Sequence, residues 1–255
     1  MTALPHRIIR LFETNSTNQD ALRLALAGEV LPLWVSSDCQ TGGRGRAGRT
    51  WTSEPGNLHA SAAIVCQAPM AQAGELALIA GVAFVDAIAA VAPSATARLK
   101  WPNDVLIDGA KAGGILVEST TARGEPGFVA VIGFGLNVVS HPSALGRAAT
   151  SLAAHGISTT AEYVLSALAD AFTRWLAAWD DGRAFEATIA PAWQERDGDI
   201  GKTVTVATAS GRLVGRSLGI DRRGYLVLDA DDGTRQTVTH GDVALQSAAK
   251  ESGAQ

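Results

Sequence analysis

Cysteine is scarce in this chain of 255 residues: there are only Cys39 and Cys66, and neither belongs to a Cys-x-x-Cys pair. Neither a disulfide framework nor a cysteine zinc site is expected. Long apolar runs are missing too. The longest, Leu76–Val85, lies between Glu75 and Asp86 and is about half of the ~20 residues that a membrane span needs. The segment around it, Ala71–Ala92, reads as a buried helix. At the N-terminus Arg10 interrupts Ile8–Phe12, so no secretory signal is read there. There is no excess of positive charge. With 21 Lys and Arg against 25 Asp and Glu, the net charge is −4, and no bulk field draws the chain to nucleic acid or an anionic membrane. A cytoplasmic protein with neither partner is expected. No internal repeat or low-complexity tract is visible.

What is present falls into two textures, and 47% hydrophobic with 18% charged residues suits one large or two modest domains. Up to about Arg196, strand-like runs mix with helical patterns: strands at Arg7–Phe12, Leu33–Ser37, Leu58–Val65 and Phe128–Val139, and a helix at Ala161–Trp179. Thr17 with Asp20 three residues on predicts an N-cap, for a helix that stops at Gly28. Lys100–Ile107 and Gly113–Glu118 flank Asp108–Gly109, a hairpin turn. Because strands and helices do not alternate strictly, the class is α+β. From Gly201 to Leu245 the pattern is all strand, with turn chemistry at Ser-Gly-Arg, Asp-Arg-Arg-Gly and Asp-Asp-Gly, and suggests a small barrel. The polar run Arg196–Asp199 marks the boundary. Domains of 1–198 and 199–247 follow, with 248–255 as a loose tail.

Three segments carry chemistry. Gln40–Trp51 reads Gln-Thr-Gly-Gly-Arg-Gly-Arg-Ala-Gly-Arg-Thr-Trp. Its glycines can bend tightly and present amides to an anion, and its three arginines can take carboxylate or phosphate bidentately. Together they suit a carboxylate meeting a triphosphate, where developing charge must be neutralised. Gly43-x-Gly45-x-x-Gly48 also matches the dinucleotide fingerprint, but no helix opens after it and no acidic residue follows at the ribose spacing. No Gly-Lys-[Ser/Thr] follows as in a Walker loop, and an RNA-binding Arg-Gly segment fits poorly with an acidic chain. The second segment, Lys100-Trp101-Pro102-Asn103-Asp104, places a cation, an amide and a carboxylate around a proline-fixed turn. Lys111 follows, ahead of Gly113 and Gly114, which leave room for another group. The third, Gly133-Phe134-Gly135-Leu136-Asn137, is either a bulged strand or a place of close approach.

In this order the three segments resemble the bacterial biotin–protein ligases, whose marks are a GRGRxGR-type loop, a KWPND string with a following lysine, and a GxGxN strand. The likeness runs from about Glu13 to Leu245. It implies a class II synthetase-like catalytic domain, with a mixed sheet and flanking helices, followed by a small SH3-like β-barrel. It implies ligation of biotin, with ATP and magnesium entering as a substrate complex, to a biotin carboxyl carrier protein. No tightly bound cofactor is expected and no metal ligand is assigned. The chain would be a monomer or a ligand-dependent homodimer.

The resemblance also assigns roles. Ser16, Thr17, Asn18 and Gln40 would bind the ureido head of biotin, and Arg44, Gly45 and Arg46 would fold over biotin and the adenylate. Lys111, with Gly113 beside it, would sit at the biotin carboxylate, making Lys111 and Arg46 the catalytic pair. Arg49, Trp51, Lys100, Asn103, Asp104 and Asn137 would serve the nucleotide. Cys39 and Cys66 would be bystanders. Ala47 departs from relatives that carry another basic residue there. Some relatives carry an N-terminal DNA-binding domain; with Ser16 this early, none is expected here. A lipoate or octanoate transferase, which would lack the arginine loop, is the competing reading.

Overall fold

The computed structural model describes residues 6–121, 127–143, 148–209, 211–230 and 232–245; the expected tail at 248–255 lies outside them. Seven strands form the larger sheet: β1 (Ile8–Thr14), β2 (Leu33–Gln40), β3 (Leu58–Cys66), β4 (Ala97–Lys100), β5 (Asp104–Ile107), β6 (Ala110–Thr121) and β7 (Phe128–Leu136). Their order is β1-β2-β3-β7-β6-β5-β4. The first pair is parallel and the remaining pairs antiparallel, so the sheet is mixed, as expected.

Alternation along β3 and β7 gives the sheet two apolar faces. Ala60, Ala62, Ile132 and Phe134 look toward α2 (Glu75–Val91) and α3 (Ala161–Trp179), while Ala63 and Val131 look toward α1 (Thr17–Leu26). Helix α2 buries eleven residues, Leu76 to Ile88, because it is covered all round by sheet, α3 and α4 (Ala190–Arg196). Phe134 stacks on Trp34 at 5.5 Å and meets Phe84 and Phe172 edge-on. Trp175 and Trp179 anchor α3 by donating to Asp86 (2.8 Å) and Glu75 (2.5 Å).

Two local expectations are corrected. Lys100–Ile107 is not one strand: the chain reverses at Trp101–Asn103, with a cis Trp101–Pro102 peptide, and β4 pairs antiparallel with β5. Asn103, inside that turn, accepts a backbone bond from Ile115, and its side-chain amide donates to the Ile115 carbonyl. Thr17 is not the N-cap either. Ser16 holds that place with extended backbone, and Thr17 begins the helix. Asp20 instead receives the Thr14 hydroxyl, a partner outside the helix that local spacing does not reveal. The Asp108–Gly109 turn has positive φ at both residues, as a two-residue hairpin of this type requires.

The C-terminal strands are β8 (Thr203–Thr208), β9 (Gly211–Ile220), β10 (Leu226–Asp229), β11 (Arg235–Val238) and β12 (Asp242–Leu245). They form a separate antiparallel sheet in the order β11-β10-β9-β8-β12. Among the described residues no pairing joins β11 to β12, so a closed barrel is not observed. The two sheets touch. Trp101 Nε1 donates to the Gly224 carbonyl at 3.0 Å, and Gly224 lies so near Leu78 and Phe185 that a Cβ there would collide with both.

Candidate active site

The site lies on the α1 face of the larger sheet, where that helix begins. Ser61, fully buried in an otherwise alanine-rich stretch of β3, points there because Ala60 and Ala62 point to the opposite core. Its hydroxyl donates toward Asn18 Oδ1 (2.6 Å) and stands 2.7 Å from Thr17 Oγ1. The Thr17 backbone N–H and hydroxyl both donate to Gln40 Oε1, at 2.9 and 3.1 Å. Asn18 Nδ2 donates to Glu118 Oε2 at 2.7 Å, and Gln40 Nε2 to Ser53 Oγ at 3.1 Å. One end of the pocket is thus a set of hydroxyls and amides held in fixed orientation, suited to a neutral ring with its own donors and acceptors. Glycine is required at Gly133, since a Cβ there would strike Asn18 Oδ1.

The other end is cationic. Lys111, on β6, is paired with Asp104 of β5, and both are largely shielded from solvent. Its Nζ lies 5.8 Å from the centre of the Trp51 ring. Arg46 Nη1 donates to Asn103 Oδ1 at 3.1 Å and Nη2 to the Gly241 carbonyl at 3.4 Å. Arg49 reaches Asp242 at 3.0 and 3.1 Å, and Arg46 lies 3.7 Å from the same carboxylate. The glycine–arginine loop is therefore ordered: Arg44 bridges Thr50, a short 3₁₀ turn spans Arg46–Gly48, and Ala47 (φ 54°) and Gly48 (φ 72°) take left-handed conformations inside it.

Trp51 closes the pocket. Its indole lies against Gly135, where a Cβ would come within 2.5 Å of the ring, and its buried Nε1 has no hydrogen-bond partner among the described residues. The remaining cavity is about 60 Å³, far below the roughly 300–1,000 Å³ of ordinary ligand sites. The pocket is thus largely filled by its own side chains, Trp51 among them.

Of the residues singled out from sequence, Ser16, Thr17, Asn18, Gln40, Arg44, Gly45, Arg46, Arg49, Trp51, Asn103, Asp104 and Lys111 line this one pocket. Three do not. Asn137 donates to the Thr150 carbonyl and lines a smaller adjoining cavity with Trp51 and Lys111. Gly113 sits behind the pocket against Gly135, and its neighbour Gly114 faces in beside Lys111. Lys100 lies near Asp199, whose carboxylate it helps keep ionised. Ser61, Ser53 and Glu118 were missed. A lone serine among buried alanines was the available signal for the first; nothing local marked the others.

Among the described residues no group of three His, Cys, Asp or Glu side chains is placed to hold a metal. Asp104, the one carboxylate among the described residues lining the pocket, already faces Lys111, so a magnesium ion here would rely mainly on phosphate oxygens. Both cysteines are free, and burial pushes the Cys66 thiol up to about 12.

Comparison with known proteins agrees on one family. A family model described as biotin/lipoate A/B protein ligase matches residues 37–195, and one described as biotin protein ligase C-terminal domain matches 199–246. The biotin–[acetyl-CoA-carboxylase] ligase of Paracoccus denitrificans is 36% identical, over 91% of this chain and 98% of its own. The Mycobacterium tuberculosis protein of the same name is 35% identical, over 91% and 86%. In fold, the chain is similar to a biotin protein ligase from Aquifex aeolicus solved with biotin and ATP, with a TM-score of 0.76 and 24% identity over 95% of this chain and 99% of the other.

Proposed function

This chain belongs to the biotin/lipoate A/B protein ligase family, and from that premise we propose the reaction its pocket performs. It activates biotin with ATP and transfers it to a lysine of the carboxyl carrier protein of a biotin-dependent carboxylase. The observation that carries the reading is the polarity of one pocket: oriented neutral groups at one end, Lys111 and Arg46 at the other.

Biotin's fused ring is held by Ser16, Thr17, Asn18 and Gln40, with Ser61 fixing two of them. Its carboxylate points to Lys111, and a carboxylate oxygen attacks the α-phosphorus of ATP. Pyrophosphate leaves and biotinyl-5′-AMP forms. Arg44, Gly45 and Arg46 close over the adenylate, and Arg49 meets phosphate. Lys111 and Arg46 offset the negative charge that grows on the phosphoryl and acyl oxygens. The carrier lysine's ε-amine then attacks the acyl carbon, AMP leaves, and the amine loses its proton. Neither cysteine takes part. Trp51, Asn103, Asp104 and Asn137 serve the nucleotide, and Lys100 serves it from behind the pocket. The loop excludes water from the mixed anhydride once closed.

Residues 1–198 form the catalytic domain and 199–247 a second domain, read as an SH3-like barrel whose five strands are only partly wrapped. The protein works in the cytoplasm, as a monomer or a ligand-dependent homodimer, without nucleic acid. Intact-mass measurement of an apo carrier domain after incubation with biotin and Mg–ATP tests the reading. One biotinyl group should be added by the native chain, and far less by Lys111→Ala or Arg46→Ala. A gain that ignores both substitutions would leave the reaction and sink the site. No gain, or a gain with lipoate in place of biotin, would sink the reaction.

A further inference from the structure

A groove of about 710 Å³ runs between the two sheets. Its walls come from both domains. Arg223, Tyr225 and His240 belong to the C-terminal sheet, and Gln72 and Val117 lie opposite. The groove adjoins the active-site pocket, since Arg46, Asn103, Ile115 and Leu116 line both. Two of these, Arg46 and Asn103, belong to the cationic end, where the mixed anhydride forms. We propose that this groove receives the lysine-bearing turn of the carrier domain, with Arg223 and Tyr225 as its contacts on the C-terminal sheet. The proposal rests on the ligase reading above.

Two geometric facts favour that occupant. The pocket's other flank, toward Trp51, Asn137, Pro142 and Ala149, is the side assigned to the nucleotide and is taken up by it when the carrier arrives. A lysine has only a four-carbon stem, so the backbone that bears it must come right up to the mouth of the site. The groove has room for that approach.

The groove is also shaped to stay open. Gly224 sits tight on Leu78, and Trp101 Nε1 holds the Gly224 carbonyl, which fixes the neighbouring Arg223 and Tyr225 relative to α2. At its rim Arg223 is exposed and Tyr225 half-buried. Such a pairing of an arginine and an aromatic residue is common at the centres of protein interfaces. Glu75, the acid in the groove wall, accepts from the Trp179 indole at 2.5 Å, whereas Arg223 is exposed to an incoming partner. The turn that docks should therefore carry carboxylates beside its lysine.

Arg223→Glu and Tyr225→Ala in the full chain test this with three readouts. Pyrophosphate release with biotin and ATP alone reports adenylate formation. Transfer to hydroxylamine reports attack on the adenylate by a nucleophile that needs no docking. Rates against apo-carrier concentration report docking. Both variants should keep the first two readouts and raise KM for the carrier by about tenfold or more, with added salt narrowing the gap for Arg223→Glu. An unchanged carrier KM in Arg223→Glu, whose exposed position spares the fold, overturns the proposal. So does a parallel loss of pyrophosphate release, which would give the groove to adenylation instead. A native chain that releases no pyrophosphate with biotin would instead overturn the ligase reading itself.

Discussion

At the scale of single residues, the site depends on side chains that constrain one another. Ser61 has no solvent exposure and supplies the donor that Asn18 Oδ1 faces. Ser61→Ala should cost about 1–3 kcal/mol by leaving that acceptor unmet in the interior. It should also raise KM for biotin more than it lowers kcat, because Thr17 and Asn18 lose their fixed orientation. Urea unfolding and steady-state kinetics on the same variant check both; a stability loss with an unchanged KM would make Ser61 a residue of the fold alone. Sequence offered only a lone serine among alanines as a signal for it. Its importance comes from strand alternation and from α1 beginning over it, and only the assembled sheet supplies both. Lys111 and the arginine loop were legible because such charge and glycine density cannot pack into a core. Their actual partners, Asp104 and Asp242, were not, since the second lies 193 residues from Arg49 in the chain.

At the scale of elements, α2 is the support on which the site rests. Its Phe84 touches Phe134 edge-on and packs behind Gly113, one layer below Lys111. Ile79, fully buried in the second turn of the helix, should cost about 2–5 kcal/mol when cut to alanine, read as a fall in the urea midpoint at an unchanged slope. A loss under about 1 kcal/mol would mean that the surrounding side chains close the cavity. Read from sequence as Ala71–Ala92, the helix is observed at Glu75–Val91, shorter by four residues at the start and one at the end, and Asp86, which ends the unbroken apolar run, lies inside the helix, held by Trp175 and Arg196. Lys100–Ile107 misled for another reason. A four-residue strand, a turn at Pro102 and another four-residue strand present the same β-rich composition as one strand, and only the pairing with β6 separates them.

At the scale of the whole molecule, the join between the sheets is electrically unusual. Asp197 bridges Leu99, and Gly198 N–H donates to the Leu99 carbonyl at 2.8 Å. Burial raises the Asp197 pKa to about 6, and that of Asp199 is raised as well by burial. Among the described residues, Asp197 Oδ2 and both Asp199 carboxylate oxygens are buried without a hydrogen-bond partner. A carboxyl whose folded pKa is raised binds protons more readily in the native state, so stability falls as pH rises through the window between the ordinary value of 3.8 and about 6. Asp197→Asn keeps the Oδ1 acceptor for Asp199 N–H and removes the ionisation. The variant should melt higher than the native chain at pH 7.5, and the gap should close toward pH 4. A constant gap across that range would rule out Asp197 as its source.

The contact between Asp242 and the arginine loop has one more consequence. One carboxylate shared by two guanidiniums offsets only one of their two charges, and an incoming anion must compete with it for both. Part of the free energy with which Arg46 and Arg49 hold a phosphate is therefore set against their contact with Asp242. By reciprocity, an anion that draws the arginines away loosens the C-terminal sheet by the same amount that the sheet weakens the anion's hold. The loop is thus a balance with a counterweight: it sacrifices tight grip for easy release, which suits an enzyme that must let its product go.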